Sequence, residues 1–138
     1  MIEKFNNIFY LTIYLVHFAG TGMYAFQTLI NTKRFMKKFG IDKSGAVAIR
    51  FAGAFLLAVF LMSVYVGFIR PGGLNATWAC FNIVFINNLC ILLCNYYSIK
   101  VDKTGVSKKT GMEPIYGPLA FTIMSAILCY GLADKIYV

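Results

Sequence analysis

Acidic residues are scarce in this chain: five Asp/Glu stand against thirteen Lys/Arg in 138 positions. Charged residues together make up 13%, where a soluble domain carries about 25%. A water-facing surface is hard to build from so few. Histidine occurs once, at His17, so bis-histidine haem ligation within one chain is excluded. The four cysteines, Cys80, Cys90, Cys94 and Cys129, form no CxxC and no zinc spacing. The default for each is a buried, reduced, small hydrophobe. Cys80 and Cys129 fall at similar depth, but a bond needs their Cα atoms within about 7 Å, which spacing alone does not supply. Proline occurs three times, at 71, 114 and 118, each near the end of an apolar run. There are no paired carboxylates and no nucleophile–base pair, so no catalytic set is expected.

What is present is hydrocarbon. Hydrophobic residues are 59% of the chain and mean hydropathy is +0.71. Four apolar segments reach spanning length, at roughly 8–30, 46–69, 75–99 and 115–133. At 1.5 Å per residue they give helices of about 28–37 Å, enough for a core of about 30 Å. The expected fold class is an all-α membrane protein: a four-transmembrane-helix antiparallel bundle, residues 1–138 forming one integral membrane domain. The first segment is longer than a signal-peptide core and is followed by "NTKRFMKK", so a retained span is expected.

Ten of the thirteen cations flank two connectors: Lys33, Arg34, Lys37, Lys38, Lys43 and Arg50, then Lys100, Lys103, Lys108 and Lys109. Lys4, Arg70 and Lys135 are left for the other side. By the positive-inside rule both termini and the "RPGGLN" turn lie outside. The connectors then rest on anionic headgroups, at about 1 kcal/mol per charge. This two-sided pattern argues against nucleic acid as the reason for the net charge of +8. It suits a bacterial inner membrane or a eukaryotic membrane equally. "RPGG" suits a tight turn, so spans two and three are expected to form an antiparallel hairpin. "IDKSGA" recurs as "VDKTGV" sixty residues later, which reads as a coincidence of two lysine-rich loops. Asn75-Ala76-Thr77 matches a glycosylation sequon, but it lies at the membrane edge and is read as chance.

The polar residues inside the spans have a pattern. Tyr10, Tyr14, His17, Thr21 and Tyr24 are spaced by 4, 3, 4 and 3, within a stripe about 120° wide. They form a seam expected to face protein, with Leu11, Leu15, Phe18, Ala25 and Leu29 toward lipid. His17 reads as a neutral imidazole bonded to an asparagine or tyrosine of a neighbouring helix; the functional alternatives are a haem ligand, a proton relay or a quinone contact. Ala48/Ala52 and Ala54/Ala58 are small-xxx-small pairs. Arg50 is expected to snorkel to headgroups, or else to pair with Asp102 or Glu113.

Span three carries four asparagines. With Asn82 at zero, Asn87 lies near 140°, Asn95 near 220° and Asn88 near 240°. Asn87, Asn88 and Asn95 are expected to share one inward arc and meet the seam. Asn82 stands apart, about 10 Å deep, and is expected to need a partner from outside the chain.

The stretch "AIRFAGAFLLA", with Arg50, Gly53 and Leu56, resembles the R-x-x-G-x-x-L pattern of DoxX-like small four-helix membrane proteins. That resemblance implies an accessory membrane subunit, in some members tied to respiratory or redox systems, and it carries over no catalytic residue. The expected function is an accessory or scaffold subunit of a larger or oligomeric membrane complex. Its partners would be lipids and other subunits or further copies. The alternatives are a small oligomeric channel or transporter along Tyr14, His17, Asn87, Asn88 and Asn95, and a cytochrome using His17.

Overall fold

The structure, a computed structural model, describes residues 2–138. Four helices are long and apolar enough to cross a membrane: Ile8–Leu29, Lys43–Ile69, Trp78–Asp102 and Glu113–Gly131. The protein is therefore an integral, multi-pass membrane protein of the all-α class.

Helix α1 is Ile8–Leu29. Asn7 caps it from an extended backbone, its Oδ1 accepting from the Phe9 and Tyr10 N–H groups at 3.0 and 3.1 Å. The basic run that follows is not a plain loop. It forms helix α2, Thr32–Phe39, with Thr32, Met36 and Phe39 buried. Lys33, Arg34, Lys37 and Lys38 project from its other side. The 4, 3 spacing of the buried residues makes about two amphipathic turns out of a segment that reads as a charge cluster.

Asp42 accepts from the Ser44 N–H at 2.9 Å at the entry to α3, Ala46–Val64. The chain stays helical to Ile69 through a wider, π-type turn. Helix α4, Trp78–Tyr97, begins three residues later than the apolar run suggests and likewise ends in a wide turn, Ser98–Asp102. Helix α5, Glu113–Gly131, has Pro114 in its first turn and Pro118 inside it. A short final turn, α6, is Ala133–Ile136.

Helix α1 packs on both α3 and α5, and α5 packs on α4. The layers run α3, α1, α5, α4, and α3 and α4 barely meet. The expected hairpin is thus antiparallel in chain direction but splayed. The turn that joins its helices is braced by Arg70, whose guanidinium donates to the Gly73 and Asn75 carbonyls at 3.2 and 2.7 Å. Leu74 is buried there in one cluster with Phe5, Val66, Phe81, Leu132 and Ile136. Side chains from both termini fill the end of the molecule where a tight hairpin would have closed.

The central position of α1 also changes its lipid face. Leu11, Phe18 and Ala25, expected toward lipid, are buried, because neighbours flank α1 on two sides. Its outer face is Phe9, Val16, Met23 and Phe26. On α3 the alanine pairs point away from protein, since Ala48, Ala52, Ala54 and Ala58 are all exposed. Gly53 makes the close contact instead. A methyl group there would overlap the Thr28 hydroxyl and Leu29 side chain of α1.

Both termini and the α3–α4 turn share one end. Lys135 donates to the Glu3 carbonyl at 2.8 Å, and the Ala76 N–H donates to the Lys135 carbonyl at 3.2 Å. The two basic connectors share the other end, where Ser107 and Thr110 reach the Phe39 carbonyl and Lys38 pairs with Glu113 at 2.5 Å.

Candidate functional site

The seam of α1 points into protein, and each of its groups meets a different neighbour. Tyr14 is buried and donates to the Ser63 carbonyl of α3 at 2.6 Å. Ser63 stands just before the widened turn of that helix. Gly67, one turn further on, leaves room for the Tyr14 ring; a Cβ at Gly67 would lie 2.9 Å from the Tyr14 hydroxyl. Thr21 donates to the His17 carbonyl of its own helix at 3.0 Å and makes no side-chain hydrogen bond to another element among the described residues. Tyr24 donates to Glu113 of α5 at 3.2 Å, beside the Lys38 ion pair.

His17 is 1% exposed. Its Nε2 lies 3.0 Å from Nδ2 of Asn88 on α4. That amide nitrogen also faces Ser125 Oγ at 3.3 Å and the Phe121 carbonyl at 3.4 Å, both on α5. Ser125 gives its own proton to the Phe121 carbonyl at 2.7 Å, so Oγ is free to accept. The network therefore assigns Nδ2 as donor and Nε2 as acceptor, which puts the ring proton on Nδ1. Nδ1 is buried and has no hydrogen-bond partner among the described residues. Phe18 and Phe121 stand edge-on to the imidazole, with ring centroids at 4.6 and 5.1 Å. A porphyrin does not fit this position: one ring nitrogen faces Asn88, and aromatic rings crowd the imidazole.

Asn95 answers a different need. Pro118 has no N–H, so the carbonyl four residues earlier, that of Pro114, loses its helical partner. The Asn95 amide donates to that carbonyl at 2.7 Å. Asn88 and Asn95 both face α5, and His17 joins Asn88 from α1. Of the three asparagines expected to meet the α1 seam, Asn88 alone bonds to it, through His17; Asn95 bonds to α5 instead.

The other two asparagines exchange roles. Asn82 is not without an internal partner: Tyr137, in the C-terminal turn, donates to its Oδ1 at 2.9 Å. The chain end folds back over the start of α4, a contact across 55 residues that helical angles on one span do not reveal. Asn87, expected inside the arc, is exposed and makes no hydrogen bond with any described residue. Helix α4 is covered mainly by α5 alone, so its inward arc is too narrow to include Asn87.

Arg50 pairs with neither Asp102 nor Glu113. Its Nε donates to the Thr32 hydroxyl at 3.3 Å, and its side chain lies at the surface. Lys38 takes the Glu113 carboxylate instead. Lys108 and Lys109 lie in the connector before α5, exposed like Lys33, Arg34 and Lys37. All four cysteines are free; Cys80 and Cys129 are partly buried and Cys90 and Cys94 exposed. Among the described residues no three His, Cys, Asp or Glu side chains come together as metal ligands.

The splayed hairpin leaves a crevice of about 210 Å³ between α3 and α4. Tyr14 and Phe18 of α1 form its floor, and Met62, Val66, Phe81 and Val84 are among its walls. Its lining is almost wholly apolar, and His17, Asn88 and Asn95 take no part in it. Its chemistry suits an acyl chain rather than a polar solute.

No protein-family model, curated protein or solved structure matches the chain. The resemblance of the second span to DoxX-like proteins therefore has no family match behind it, and what stands is the set of four spanning helices.

Proposed function

We propose that this protein is an accessory or scaffold subunit of a larger or oligomeric membrane assembly. In this reading both termini face outside, and the two basic connectors and α2 rest on anionic headgroups. The observation that carries the proposal is how the polar side chains are distributed. Tyr14, His17, Tyr24, Asn88 and Asn95 each bond to another helix of the bundle. Such bonds are worth about 0.6–2 kcal/mol each in a membrane, and here they serve as glue between helices. Asn87 alone of the four asparagines is left on the lipid-facing surface, where hydrocarbon offers no partner for an amide.

A conduit along Tyr14, His17, Asn87, Asn88 and Asn95 finds less support. Tyr14 bonds toward α3, His17 toward α4, Asn95 toward α5, and Asn87 faces outward. The groups do not line one continuous path. Lipid remains a natural partner, with an acyl chain in the α3–α4 crevice.

Extraction from native membranes in mild detergent tests the proposal. The expected result is a native particle larger than one 15.5 kDa chain with its detergent shell. A monodisperse single chain would overturn it.

A further inference from the structure

Along α4 the residues Ile83, Asn87, Cys90, Cys94 and Tyr97 follow spacings of 4, 3, 4 and 3. That is the seam of a helix pair crossing at a shallow angle. Every one of them is exposed, Ile83 at 65% and Tyr97 at 59%. Ile86 and Leu93 flank the seam and are exposed as well. Helix α4 belongs to the least covered of the four spans: 11% of its apolar stretch is buried, against 33% for α1. We propose that two copies of this chain pair through this face of α4, with the two Asn87 amides bonded to each other at the two-fold axis.

The inference rests on the subunit reading above and deepens it by naming the partner. Asn87 is nine residues from Trp78, so it lies about 14 Å along the span, near the middle of a core about 30 Å thick. Its side chain is too short to reach water from there. Lipid tails cannot answer an amide. In a dimer whose axis runs along the membrane normal, each residue meets its own copy at the same depth. A carboxylate or an ammonium there would repel itself. An amide is complementary to itself, because Oδ1 accepts what Nδ2 of the other copy donates. From Trp78 to Tyr97 the helix carries no charge at all, so nothing on the seam opposes a second copy. Cys90 and Cys94, small side chains next to Asn87, permit close approach of two backbones. The other three asparagines already have partners in the chain, which makes Asn87 the amide that a second copy would serve.

The native thiols supply the test. In the full chain, Cys80, Cys94 and Cys129 are changed to Ser, so that Cys90 alone remains. Native membranes are treated with copper phenanthroline. The expected product is a disulfide-linked homodimer of twice the 15.5 kDa chain mass. A cysteine-free chain carrying Leu61→Cys, on the exposed face of α3, should give little of it. Asn87→Leu in the Cys90-only chain should lower the yield about threefold to tenfold, the worth of one intramembrane amide bond, and Asn87→Gln should restore it. Asn87 faces away from the rest of the chain, so helicity and expression of the Leu variant should match the parent. Linkage of Cys90 to a different polypeptide, no linkage, or a yield indifferent to Asn87→Leu would each overturn the pairing. If the native particle remains large in those cases, the subunit reading stands and only the homodimer falls. A single-chain particle removes both.

Discussion

Replacing Asn88 by Leu keeps the number of side-chain heavy atoms and their branching, and leaves the His17 imidazole with neither ring nitrogen bonded. The amide now faces Nε2 at 3.0 Å and Ser125 Oγ at 3.3 Å. Two intramembrane bonds at about 0.6–1 kcal/mol each come to roughly 1–2 kcal/mol. A buried acceptor left unpaired adds about 1 kcal/mol or more, and His17 is 1% exposed. The expected loss is therefore about 2–3 kcal/mol. His17→Phe should cost less, because the Asn88 amide retains Ser125 and the Phe121 carbonyl. The double variant should cost clearly less than the sum of the two, since removing both members of a buried polar pair can be nearly neutral. Unfolding in mixed micelles, followed by circular dichroism, measures all three variants. A coupling of about 1 kcal/mol is expected between the positions. Additivity within about 0.3 kcal/mol would refute the account of this cluster as a bonded unit.

Asn95→Leu strands the Pro114 carbonyl and should cost about 1–2 kcal/mol. In a Pro118→Ala background the restored backbone N–H takes that carbonyl, and the same change should cost little. The paired unfolding midpoints check this. Gly67→Ala places a methyl group 2.9 Å from the Tyr14 hydroxyl; a loss of about 1–3 kcal/mol is expected from overpacking, and Tyr14→Phe should relieve part of it. Asp42 lies outside the spans, and its bond from the Ser44 N–H holds its carboxyl below the ordinary 3.8. A lowered folded-state value means that the cap persists above that pH and is lost as pH falls below it. The protection of the Ser44 amide, its exchange rate relative to the intrinsic rate at each pH, should therefore be constant from neutral pH down to about 4 and fall only below, with Asp42→Asn abolishing the step.

Much of the fold was legible because it depends on solvent rather than on packing. Run length and hydropathy place the four helices within a few residues, since a backbone in hydrocarbon must satisfy its own hydrogen bonds. The α1 seam was legible for the same reason: Tyr14, His17 and Tyr24 recur at helical spacing, and all three do bond across to other helices. Helix α2 was missed because four cations obscure the 4, 3 spacing of Thr32, Met36 and Phe39. That spacing was the available signal. The Asn95–Pro114 bond also had a signal, in a proline four residues after a carbonyl that must go unserved. Nothing local pointed to Tyr137 as the partner of Asn82.

The sequence by itself determined that this chain lives in a membrane, crosses it four times, and keeps a polar seam on its first span. Those follow from composition and helical period, which neighbours in space do not alter. Only the tertiary structure decided which asparagine is left without a partner. A wheel ranks residues by angle on one helix, but the width of the covered arc depends on how many helices pack against it. Helix α4 leans chiefly on α5 and stands apart from α3. The covered arc is therefore narrow, Asn87 falls outside it, and Asn82 is answered by a chain end 55 residues away.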